Sequence, residues 1–79
     1  MLHRSKKIGR LQRLIRRMLI ESDGWPIHVH DVRARAYVGQ PPSHNQYRAL
    51  WRARRKFAVQ LRRGVLGPTR ELERWIRDE

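Results

Sequence analysis

The stretch Pro41-Pro42-Ser43-His44-Asn45-Gln46-Tyr47-Arg48-Ala49-Leu50-Trp51-Arg52-Ala53 decides how this chain is read. Pro41-Pro42 is a rigid connector, because each ring fixes φ and removes a backbone donor. Ser43 stands three residues before Gln46, the spacing of a capping box. In that motif the serine hydroxyl takes an N–H of the first turn, and the glutamine side chain returns to the cap's own N–H. Pro42 and Tyr47 occupy the staple positions around it. A helix therefore starts here, and its pattern predicts a run over 43–63. Tyr47, Leu50, Trp51, Phe57, Ala58 and Leu61 share one arc of the wheel. Arg48, Arg52, Arg55 and Lys56 share another, with Asn45, Arg62 and Arg63 nearby. Arg54 falls inside the apolar arc, so it must snorkel, pair with an acid, or lie where the stripe meets solvent. Gly64 is placed to end this helix, with Val65 as its hydrophobic follow-on.

Working outward, a first helix is predicted over 5–21, with Ser5 as candidate N-cap. Ile8, Leu11, Leu14, Ile15, Met18 and Leu19 recur at helical spacing. Lys6, Arg10, Arg13 and Arg17 fall opposite, with Arg16 beside them. Asp23-Gly24 and Trp25-Pro26 favour turns and end it. Ile27-His28-Val29-His30 alternates apolar and polar and reads as a very short strand or extended link. Asp31 is placed to cap a second helix over 31–38, with Val32, Ala36 and Tyr37 facing inward and Gly39 as its left-handed end. Gly67-Pro68 is a second break. A last amphipathic helix over 68–78 puts Leu72, Trp75 and Ile76 on one side, with Glu71 and Glu73 near the positive end of its dipole. The fold expected is mainly α: a three-helix helix-turn-helix core, a very short strand near 27–30 and a C-terminal amphipathic helix, in one small domain over 1–79.

The length of 79 residues allows one domain with a small core, not a deep catalytic cleft. There is no cysteine, so disulfides and thiolate chemistry are excluded. The longest apolar run is Met18-Leu19-Ile20, too short for a membrane span, and no apolar segment follows the basic N-terminus as a secretory signal requires. A cytoplasmic protein is the expectation. No nucleophile, base and orienter are grouped, and no Gly-rich phosphate loop exists, so no enzyme is expected. His28 and His30 stand at i, i+2, with His3 and His44 elsewhere. Two histidines fall short of a structural metal site, so no metal and no cofactor are expected. Trp25, Trp51 and Trp75 read as core residues before stacking platforms, Trp51 and Trp75 because they lie on apolar arcs and Trp25 less decidedly, being in a loop.

The charge is the strongest lead. The formal net is +12, and residues 1–63 carry 16 Lys+Arg against 3 acids. Residues 64–79 carry 3 Lys+Arg against 4 acids, so the basic surface belongs to the first four-fifths. Arginine outnumbers lysine 16 to 3, a bias that suits phosphate and guanine edges and that a GC-rich genome also produces. Solvated helix faces usually mix signs to gain local pairs, yet the outer arc of helix three has no acid at i+4 and that of helix one has only Glu21, after Arg17. Unpaired like charge calls for a polyanion.

The order of helix, short strand, short helix, connector and long basic helix resembles winged helix-turn-helix domains. The Pro41–Ala53 run looks like the opening of their recognition helix, and the resemblance covers about residues 7–66. It implies double-stranded DNA binding through helix three, carried at Ser43, His44, Asn45, Arg48 and Arg52, as in a repressor or a recombination accessory factor. Winged domains follow that helix with a β-hairpin. Here only Val65-Leu66 precede Gly67-Pro68, so the hairpin is expected to be vestigial or absent. The candidate contact set is Ser43, His44, Asn45, Gln46, Arg48, Arg52, Arg55 and Lys56 on helix three, with Arg10, Arg13 and Arg17 on helix one. The same charge fits RNA or the ribosome, or an acidic protein surface to be masked. No membrane partner is expected. Leu72, Trp75 and Ile76 either close the core or form a homodimer interface.

Overall fold

The computed structural model describes residues 9–78. Ser5, Lys6 and Ile8 of the predicted first helix lie outside them, as does His3. Helix α1 spans Arg10–Glu21. Gly9 caps it, and its N–H donates to Oε1 of Gln12 at 2.9 Å. Ile15, Met18 and Leu19 are its buried face. The turn after it puts Asp23 at φ 58 and Gly24 at φ 84, which ends the helix sharply.

Strand β1 covers Ile27–His28, and helix α2 covers Val29–Ala36. The expected α2 start at Asp31 is two residues late. His28 is the true N-cap, its Nδ1 accepting the N–H of His30 at 3.2 Å. Asp31 sits inside the first turn instead, where a carboxylate still favours the dipole. The helix ends at Ala36, two residues before the expected end at Val38, with Tyr37 as its C-cap, and Gly39 takes φ 78 in the turn that follows.

Helix α3 spans His44–Ala53, and the capping box forms: Ser43 Oγ accepts the N–H of Gln46, and Gln46 Oε1 accepts the N–H of Ser43, both at 3.3 Å. The helix predicted over 43–63 is therefore about half that length. A tight turn of helix over Arg54–Lys56 follows, then Phe57, then strand β2 over Ala58–Arg62. Strand β3 covers Val65–Pro68, so the hairpin expected to be vestigial or absent is present. The correction has a local cause. Val59-Gln60-Leu61-Arg62 alternates with period two, and its helical reading rested on Phe57, Ala58 and Leu61 alone.

Gly64 makes the hairpin turn rather than a helix end. Its φ is +74, and a Cβ there would lie 3.1 Å from Cε1 of His28. Its carbonyl accepts the N–H of Val29 at 2.8 Å, which ties the turn to the start of α2. The sheet is antiparallel, ordered β1-β3-β2, with Ile27 opposite Leu66 and Ala58 opposite Pro68. A bulge between Gln60 and Arg62 leaves Leu61 as the extra residue, and Leu61 folds over Gly67. Helix α4, Arg70–Asp78, begins at Thr69, whose Oγ1 accepts the N–H of Leu72 at 3.2 Å.

The core draws three residues from α1 and one each from α2, α3, β2, β3 and α4: Ile15, Met18, Leu19, Val32, Leu50, Ala58, Leu66 and Leu72. Leu72 seats α4 on its own chain, with Ile76 packed beside it. The three tryptophans and Leu61 are not core. Trp51 is 41% exposed and Trp75 44%, against the expectation that both lie inside, and Leu61 is 55% exposed because its segment is an edge strand. No helix among the described residues is long and apolar enough to cross a membrane.

Candidate nucleic-acid interface

The ten residues of α3 divide by burial into two working faces. Leu50 is buried, and Gln46 is 9% exposed. His44, Asn45, Arg48, Trp51 and Arg52 point outward, and Arg55 and Lys56 continue that side into the following turn. Gln46 was expected among the contact residues and belongs to the interior instead. Its Oε1 accepts from Arg33 Nη1 at 3.2 Å, and its Nε2 donates to the carbonyl of Pro41 at 3.2 Å and to Gln40 Oε1 at 3.5 Å. These bonds fasten the connector to the first turn of α3 and to α2. Ser43 is engaged as the cap. The free part of the expected α3 set is therefore His44, Asn45, Arg48, Arg52, Arg55 and Lys56.

None of those cations makes an ion pair among the described residues. The pairs present are Arg35 with Glu21 at 3.0 Å and Arg77 with Glu73 at 3.5 Å. Arg54, which the sequence placed in the apolar arc, lies with its guanidinium carbon 3.7 Å from the centroid of the Trp51 ring. Its Nε is buried without a hydrogen-bond partner, so the ring face is its main contact.

Between α3 and the hairpin runs a groove of about 590 Å³. Tyr47, Trp51, Val29 and His30 form its apolar walls, and Arg48, Arg52 and Arg63 stand along it. Tyr47 is fixed by a 2.6 Å hydrogen bond between its hydroxyl and Nδ1 of His30, whose ring stacks on His28 at 4.6 Å between centroids. The two histidines thus serve as packing and capping groups, and no cluster of three or more metal-ligating side chains occurs among the described residues. Sequence reasoning missed Gln60 and Arg63 as groove residues, because it placed both on a helix. The alternation from Val59 to Arg62 was the signal that would have found them.

The α1 part of the expected set is elsewhere. Arg10, Arg13 and Arg17 line a separate groove of about 520 Å³ with Arg35 of α2, sharing no residue with the α3 groove. Arg10 is committed to the fold: its Nη1 donates to the carbonyl of Ala36 at 3.1 Å, and its guanidinium lies over Tyr37. Arg16 is likewise held, over the rings of Trp75 at 5.0 Å and Phe57 at 5.8 Å. Arg13 and Arg17 are exposed.

No protein-family model matches the sequence, and neither curated proteins nor solved structures give a significant match.

Proposed function

We propose that this chain is a small double-stranded DNA-binding protein of the winged helix-turn-helix type, acting as a repressor or as an accessory factor in recombination. Helix α2, the connector and α3 are the helix-turn-helix pair, and the β2–β3 hairpin is the wing. The observation that carries the reading is the outer face of α3. Asn45, Arg48 and Arg52 are exposed there, with Arg55 in the turn that follows, and none has an acidic partner among the described residues, on a helix whose opposite side is fixed by Leu50 and Gln46. A major groove admits one helix, and a reading helix needs free donors outside and a rigid seat inside. In this role Arg48 and Arg52 reach guanine edges, Asn45 suits an adenine edge, and Arg55, Lys56, Arg62 and Arg63 approach phosphates. The setting proposed is cytoplasmic, on the nucleoid.

Duplex binding across a salt series tests the reading. Affinity should fall steeply with salt, and some sequence should bind more tightly than bulk DNA. Arg48→Ala with Arg52→Ala should remove most of that preference. Retention of sequence preference by the double variant would overturn the assignment of α3. A marked preference for structured RNA over duplex at equal salt would replace DNA with RNA as the partner. Absence of binding to either, with a stoichiometric acidic protein partner, would establish the masking role instead.

A further inference from the structure

We propose that the groove between α3 and the β2–β3 hairpin receives an unpaired nucleobase with its phosphate, next to the duplex that α3 docks. The proposal deepens the DNA reading and rests on it only for the position of that duplex. Trp51 is the reason to look here. It stands 41% exposed on the outer side of α3, where it contributes little to the core. Arg54 covers the ring with its guanidinium carbon 3.7 Å from the centroid and is not among the residues lining the groove. The indole is thereby oriented before any ligand arrives, as a stacking platform should be.

The rest of the groove has the chemistry of a nucleotide site. Tyr47 is an aromatic wall locked by His30. Gln60 is exposed on β2 and offers both a donor and an acceptor to a base edge. Arg63 from the hairpin places positive charge in the groove for phosphate, across from the α3 wall that carries Arg48 and Arg52. A purely apolar ligand leaves the Arg63 guanidinium unanswered, and an acidic peptide without an aromatic group leaves the indole unstacked. A base with its phosphate answers both. Paired bases in an intact duplex present no free face, so the occupant is a base in a single-stranded tail or one extruded from the helix.

The test compares a blunt duplex, the same duplex with a short single-stranded tail, and the tail oligonucleotide alone. Affinity and the indole N–H resonances of the full chain are followed, with the Trp51 resonance assigned through Trp51→Phe. The tailed duplex should bind about tenfold more tightly than the blunt one, the scale of one stacked base. The Trp51 indole should shift with the tail while those of Trp25 and Trp75 stay in place. Trp51→Ala should erase the difference between the two duplexes, Trp51→Phe should restore part of it, and Gln60→Ala should reduce it. A thermal melt of each variant confirms that it folds. Equal affinity for both duplexes, or a Trp51 resonance unmoved by the tail, overturns the proposal. If the tail alone shifts Trp51 and the blunt duplex does not bind, the groove assignment stands and the duplex reading falls. If the blunt duplex binds with steep salt dependence and the tail adds nothing, the duplex reading stands and the groove assignment falls.

Discussion

Helices α1 and α3 carry the same kind of stripe in sequence, arginines on the outer arc with Glu21 as the one acid at i+4, yet the structure uses the two stripes differently, and Glu21 pairs with Arg35. On α1, Arg10 is bonded to the end of α2 and Arg16 spans the rings of Trp75 and Phe57, so half of its arginines brace neighbouring elements. On α3, Arg48 and Arg52 make no ion pair among the described residues and face a groove. Two stripes of similar formal charge therefore differ in how much charge is available to a partner. A guanidinium lying on an aromatic ring keeps its charge but has part of its surface covered, and moving it to a phosphate forfeits that contact. An unengaged one gives up nothing of the kind.

The sharpest way to break this comparison is to remove the α3 pair. Arg48→Ala with Arg52→Ala should weaken binding to a preferred duplex on the order of a hundredfold or more, at about 1–3 kcal/mol per base contact, while leaving the melting temperature nearly unchanged. Titration and a thermal melt on the same sample measure both. If affinity holds, α3's charge is no more available than α1's.

Gln46→Ala probes the inward side of α3. It leaves Arg33 and the carbonyl of Pro41 without their partner. A stability loss of about 1 kcal/mol is expected from the lost part-buried hydrogen bonds and capping box, read in urea. Duplex affinity measured well below the transition should change far less. A purely binding defect with full stability would return Gln46 to the reading face.

Arg16→Ala tests the bracing role on α1. Loss of contact with Trp75 and Phe57 should cost about 1 kcal/mol, or roughly 4–8 °C in the melt of a domain this small. An unchanged melt with weaker DNA binding would show that Arg16 serves a partner, contrary to its position. The smallest effect is expected from Arg13→Ala with Arg17→Ala, which are exposed but lie on the other groove. Affinity for preferred and random duplexes should fall together and by less than about threefold, with stability unaffected, as for distant phosphate attraction alone. A fall as large as that of the α3 pair would make the two stripes equal.

Much of the fold was legible beforehand because its signals are local. The capping box at Ser43 and Gln46 marked the start of α3, the spacing of Ile15, Met18 and Leu19 marked the inner face of α1, and Gly39 marked the end of α2. The end of α3 was not legible. Phe57, Ala58 and Leu61 satisfy a helical arc, while Val59 to Arg62 satisfies a strand, and a short segment carries no internal means of choosing. The choice falls to β3, which offers an edge, and to the contact of Gly64 with His28 and Val29.

The candidate site shows the same division. His44, Asn45, Arg48, Arg52, Arg55 and Lys56 could be named from the wheel, since a helix fixes which residues share a side. That Gln46 is consumed by Arg33 and Pro41, that Trp51 faces a groove and that Gln60 and Arg63 join it all depend on segments distant in sequence. The sequence by itself determined the net charge of +12, the start of α3 and the amphipathic faces, because these follow from composition and from contacts within a few residues. Only the tertiary structure decided which charges are free and where the groove lies, because burial and side-chain pairing are properties of elements brought together rather than of any one of them.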